Sequence, residues 1–171
     1  MEIGQAAAVA GDNRDALQGA DAVVLALRFS VLKGVIDEIA NPLASKLVVV
    51  PSNPLALDAH GKVVSLLPKG QSSGEVVAEW LPAGARLAMA FGTLSADVLE
   101  SSSNRSPELA VLFYVTDDER AGEEVERLIR TAGFEPVKAG GLELSGRLEV
   151  GGDLHDLVAS PTEARSLTGR A

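Results

Sequence analysis

Ser52, Asn53 and Pro54 follow directly on the branched-apolar run Leu47–Val50 and Pro51 in a chain of 171 residues. A hydroxyl and a carboxamide held between two prolines can hydrogen-bond a ligand from a turn whose backbone has little freedom. The run before them is too short for a helix and reads as a strand buried on both faces, as in a parallel sheet covered by helices. Ligands of open α/β sheets bind beyond the carboxyl ends of the strands, so this turn is a candidate ligand wall. A plain exit from strand to loop is the alternative. Arg28 ends a second apolar run, Ala22 to Leu27. At that place it offers either a contact for an anionic cofactor or substrate, or a solvated cation.

Other residue types offer less. His60 and His155 are isolated from each other by spacing and read as loop residues rather than acid–base catalysts or metal ligands. Lys69-Gly70-Gln71-Ser72-Ser73-Gly74 lacks the G-x-x-x-x-G-K-[ST] order of a phosphate loop and reads as the start of a helix, where it could at most favour an anion. The chain has no cysteine, which excludes a thiolate nucleophile, a cysteine metal site and a disulfide framework. A net charge of −9 without a basic run argues against nucleic acid as a partner. No apolar run reaches the ~20 residues of a membrane span and no secretion signal opens the chain, so a cytoplasmic protein that makes no membrane contact is expected.

The elements that must position these residues alternate. Asp12 caps a short helix over Asn13 to Gln18, and Ala22 to Leu27 is a strand. Ser30 caps a helix whose Val31, Leu32, Val35, Ile36 and Ile39 make one apolar stripe, which Asn41-Pro42 closes before the Leu47 strand. Residues 55–74 show no clear period. Ser72 or Ser73 caps a helix with Val76, Val77 and Trp80 facing inward. Arg86 to Phe91, Leu109 to Val115 and Phe134 to Ala139 are further strands. Asp117 caps a helix between the last two, with i,i+4 pairs Glu123–Arg127 and Glu126–Arg130. A short helix over Leu142 to Glu149 follows. The pattern predicts an α/β fold with a mostly parallel sheet of about five strands and helices on both faces. Residues 1–150 are expected to form the domain, with 151–171 as a partly loose C-terminal extension.

Four stretches in this order resemble the deazaflavin (coenzyme F420)-dependent NADP oxidoreductases, dinucleotide-binding reductases related in fold to pyrroline-5-carboxylate reductase. They are the strand Asp21 to Leu27, the segment Val48 to Leu55, the A-F-G-T-L run Ala90 to Leu94, and Gly133 to Glu149. The resemblance implies a Rossmann-like domain in which Ser52, Asn53, Pro54 and Thr93 line the pocket near a nicotinamide, although Thr93 also reads as a helix cap. It implies NADP(H) as cofactor, with a deazaflavin or small imine as second substrate. The pattern departs from the family in three ways. The G-x-G-x-x-G turn that lets the pyrophosphate approach the backbone is missing, together with at least one βαβ unit. Met89 stands where the family usually has Lys, and Gly92 where it has Asn.

Two functional expectations follow. One is an NADP(H)-dependent oxidoreductase that transfers hydride between nicotinamide and a deazaflavin or small-molecule acceptor. The other is a noncatalytic Rossmann remnant that serves as a self-associating or regulatory module. The missing unit would leave the Ala22 to Leu27 strand as an apolar edge, so a homodimer burying Val23 to Leu27 is expected. Residues 1–10 folding back over that edge are the alternative cover.

Overall fold

A computed structural model describes residues 11–169, and the proposed fold-back of 1–10 lies outside them. Strands form in chain order as β1 (Ala22–Val24), β2 (Leu47–Val50), β3 (Leu55–Leu57), β4 (Val63–Ser65), β5 (Arg86–Ala90), β6 (Val111–Val115) and β7 (Glu135–Gly140). Between them lie α1 (Asn13–Ala16), α2 (Phe29–Glu38), α3 (Ala40–Leu43), α4 (Ser73–Trp80), α5 (Ala96–Ser102) and α6 (Glu119–Thr131). A 3-10 helix (Leu142–Arg147) and α7 (Pro161–Thr168) complete the chain.

Five strands make one sheet in the order β1-β2-β5-β6-β7. β1, β2 and β5 run parallel, β6 turns antiparallel to β5, and β7 runs parallel to β6. The mostly parallel, Rossmann-like sheet expected from the pattern is therefore present. β2 is buried along its whole length, which is why its side chains are branched and apolar on both faces. Val48 and Val50 join Leu87, Met89, Val111 and Phe113 on one face, packed by Leu32, Ile36, Val77, Leu142 and Leu154. Leu47 and Val49 join Ala88, Ala90, Leu112 and Tyr114 on the other, packed by Ala121, Val125 and Ile129 of α6.

Local detail departs from the sequence reading at several points. α2 begins at Phe29, so Arg28 and not Ser30 is its N-cap, and no side chain caps it. Of the neighbouring aspartates before α6, Asp118 is the cap, its Oδ1 accepting from the Ala121 amide at 2.7 Å. Asp117 instead accepts from the Leu142 amide at 3.0 Å, which ties the 3-10 helix to the end of β6. Glu126–Arg130 forms as expected at 3.0 Å, but the other paired carboxylate of α6 is Glu124 rather than Glu123. Residues 55–65 hold the hairpin β3–β4. In the expected C-terminal extension, α7 carries a capping box of Ser160 and Glu163, and Ala164 is buried. Its single alanine, Ala164, buries against the sheet what a search for large apolar residues overlooks.

Candidate functional site at the carboxyl ends of β2 and β5

β2 and β5 are parallel neighbours, so the segments leaving them, 51–54 and 91–93, emerge at the same edge of the sheet. Asn53 joins the two. Its Nδ2 donates to the Gly92 carbonyl at 2.9 Å, and its Oδ1 accepts from the Val150 amide at 3.0 Å. The carboxamide thereby links β2, β5 and the chain beyond the 3-10 helix. The Ser52 hydroxyl donates to the Leu27 carbonyl and lies 3.4 Å from that of Leu25, which binds the turn to the end of β1. Gly92 allows this close arrangement, because a Cβ there would strike the Pro51 carbonyl oxygen. Phe91 before it has φ 66, the left-handed region that costs a bulky L residue energy.

The sequence-predicted residues do come to one end of the sheet, but in different ways. Ser52 and Asn53 line a cleft of about 20 Å³ together with Val50, Met89, Gly92 and Leu148. Pro54 and Thr93 are buried beside it without lining it. The cap of α5 is Ser95, whose hydroxyl accepts from the Val98 amide, so the cap reading of Thr93 does not hold. Thr93 instead accepts the Asp156 amide on its backbone carbonyl at 2.8 Å. Arg28 is exposed at the start of α2 and lies outside the cleft lining.

Three further residues supply polar groups that sequence reasoning did not place here: Ser73, Ser145 and Glu149. Glu149 Oε1 accepts from the Ser73 hydroxyl at 2.5 Å, the Ser73 amide at 3.1 Å and the Ser145 hydroxyl at 3.1 Å. The Ser145 hydroxyl oxygen in turn accepts from the Gly74 amide at 2.8 Å. A carboxylate thus faces the amides of the first turn of α4, where the helix dipole favours negative charge. The i,i+4 spacing of Ser145 and Glu149 was the available signal, but nothing local told which helix start they would meet. The cleft therefore has one carboxylate and no cation in its lining. Among the described residues no group of three or more His, Cys, Asp or Glu could hold a metal ion.

The family model for coenzyme F420-dependent NADP oxidoreductases matches residues 2–54, a span that takes in β1, α2, β2 and the Ser52–Pro54 turn. A hypothetical protein of Sinorhizobium meliloti shares 33% identity and superposes with a TM-score of 0.74, over 85% of this chain and 69% of its own. The chain belongs to the coenzyme F420-dependent NADP oxidoreductase family. A structure from Arthrobacter assigned as an F420-dependent NADP reductase has 22% identity and a TM-score of 0.66, with 75% of this chain covered and 59% of that one. Pyrroline-5-carboxylate reductase from Coxiella burnetii has 17% identity and a TM-score of 0.52, with 75% and 40% covered. These two share the fold with this F420-dependent oxidoreductase family member. No curated protein matches the chain.

The family implies a nicotinamide or deazaflavin cofactor, and the cleft fits such a ring in kind but not in room. Met89 and Leu148 give apolar walls and Asn53 gives a carboxamide. A volume of about 20 Å³ is space for roughly one water. Both polar ends of Asn53 are bonded to the chain's own backbone. As described, the cleft holds itself shut.

Proposed function

We propose that this chain is an NADP(H)-dependent oxidoreductase domain that uses the carboxyl edge of β2 and β5 to hold the nicotinamide end of its cofactor. Ser52 and Asn53 form the wall of that site, with Pro54 and Thr93 packed behind it. Its partner in hydride transfer is a deazaflavin or a small-molecule acceptor. The observation that carries this reading is the Asn53 bridge, which brings the Ser52–Pro54 turn against Gly92 at the place where open α/β sheets bind ligands. Hydride chemistry belongs to the cofactor, so the absence of a nucleophile and base pair is no objection. Arg28, exposed at the same edge, serves at most an anionic end of the ligand outside the cleft. Titration with NADPH, followed by nicotinamide fluorescence, tests the reading. Saturable binding at micromolar concentration supports it, and a folded chain without binding overturns it.

A second reading has an observation of its own in its favour. The small cleft and the internal bonding of Asn53 suit a noncatalytic module that keeps the fold and self-associates. The same titration separates the two. In either reading the protein is a cytoplasmic homodimer that meets through β1, whose outer edge has no strand partner among the described residues. Among those residues no helix is long and apolar enough to cross a membrane.

A further inference from the structure

At the opposite edge of the sheet, where β1, β2 and β5 begin, lies a cleft of about 380 Å³. Lys46, Arg86, Arg120 and Arg127 line it, against the carboxylates Asp21 and Glu124. The chain as a whole has 15 Lys and Arg against 24 Asp and Glu, so this cleft inverts the charge balance of the molecule. Its size is that of small-molecule sites, which run from roughly 300 to 1,000 Å³.

The cleft is built, not an accident of long surface side chains. The Leu47 amide donates to the Asp21 carbonyl at 3.1 Å and the Arg86 amide to the Lys46 carbonyl at 3.0 Å, so the sheet ladder fixes its floor. Lys46 is held by the Ala20 carbonyl at 2.6 Å. Arg86 is held by Glu124 at 2.9 Å and by the Ser45 carbonyl at 3.3 Å, with its side chain only 13% exposed. Arg120, Glu124 and Arg127 stand at i, i+4 and i+7 along one face of α6. Burial pushes the Glu124 carboxyl up, but hydrogen bonds from Arg86 and Arg120 outweigh it and hold the group below its ordinary range. That single carboxylate therefore serves two guanidinium groups. Lys46 bonds only a neutral carbonyl, and the Arg127 guanidinium has no hydrogen bond or ion pair among the described residues. Each cation keeps N–H donors to spare.

From this geometry we infer that the cleft at the amino ends of β1, β2 and β5 is a second ligand site, for a small polyanion of the phosphate or diphosphate class. It is independent of the Asn53 cleft, which has no cation in its lining. Arg127 and Arg120 clamp the anion from α6, Arg86 and Lys46 supply fixed charge from the sheet, and Glu124 competes with the anion for Arg86 and Arg120.

Calorimetric titration of the full chain with inorganic pyrophosphate at low ionic strength tests the inference. Wild type binds saturably at one site per chain. Arg127→Ala, at an exposed position whose side chain has no partner among the described residues, keeps the wild-type circular dichroism and weakens binding about tenfold, as expected for loss of one charge-assisted contact. Glu124→Gln removes the competing carboxylate and tightens binding. Failure of wild type to saturate at millimolar pyrophosphate overturns the inference. So does affinity unchanged in Arg127→Ala, or Glu124→Gln that is folded but binds no tighter.

Discussion

Asn53 holds the candidate site together through two hydrogen bonds to segments far apart in sequence, Gly92 and Val150. Asn53→Ala leaves a carbonyl and an amide without partners in a half-buried place and is expected to cost about 1–3 kcal/mol. The same change frees the chain around Val150, so hydrogen exchange at the Val150 amide should quicken beyond the global effect seen by denaturant titration. Gly92 sits at the other side of this bridge. Its substitution by Ala sets a methyl group against the Pro51 carbonyl, and relief requires the β2 exit and the β5 exit to move apart. Thermal unfolding of Gly92→Ala should show a loss of about 1–3 kcal/mol, as for overpacking elsewhere. An unchanged midpoint would mean that the two exits yield freely. These contacts also explain what the sequence could not tell. The resemblance marks Ser52, Asn53, Pro54 and Thr93, and the parallel strands bring all four to one edge. That the Asn53 amide is spent on backbone, and that Pro54 and Thr93 lie behind the cleft wall, depends on atoms up to 97 positions away.

α6 forms where the sequence places it, and its charges make the fold sensitive to acid. Glu124 is held below its ordinary carboxyl range despite burial, through Arg86 and Arg120, and Asp153 is held low by the Arg147 guanidinium against a smaller effect of burial. A carboxylate whose folded pKa is depressed contributes stability that is fully present above its unfolded value, near 4, and lost as pH falls through the folded value. Stability should therefore fall below about pH 4, and Glu124→Gln should flatten part of that fall while lowering the plateau near pH 7. Thermal midpoints at a series of pH values check both. If the variant declines in parallel with wild type, Glu124 carries none of the acid response. Elements with a strong period, α2, α4 and α6, and the fully apolar strands β2 and β6 were readable because burial alone dictates their residues. The hairpin β3–β4 was not. Its strands are three residues each and β4 is exposed along its length, so no core imposes an alternating pattern. The turn is set by Asp58, whose carboxylate accepts from the His60 and Lys62 amides at 2.8 and 2.9 Å, and by Gly61 at φ 77.

On the scale of the molecule, the sheet ends at β1 on one side and at β7 on the other among the described residues, and these two edges differ. β7 is flanked by α7, while β1 has β2 on one side and no strand on the other among the described residues. Around β1, Val24 is 53% exposed, and Leu27 and Val31 are also open to solvent. A groove of about 360 Å³ runs along this edge, lined by Leu17, Val23, Val24, Leu25, Val35 and Ile39 among others. Neither Pro nor charge blunts β1, as natural edge strands usually require. A two-fold axis beside the strand would let each copy cover the other's apolar side chains, and a three-residue strand adds few backbone hydrogen bonds to that packing. The proposed dimer should therefore depend mainly on side-chain burial. Light scattering at micromolar concentration is expected to give twice the mass of one chain, and a soluble monomer refutes the dimer. Val24→Lys probes the contact without disturbing the core, because the side chain is already half in solvent within one copy. Burying two such valines across an interface is worth about 2 kcal/mol, and a lysine in their place adds a desolvation cost. The variant should dissociate at concentrations where wild type is dimeric while its circular dichroism stays that of the folded domain. A Val24→Lys protein that stays dimeric would move the interface away from β1, whatever the mass of the wild type.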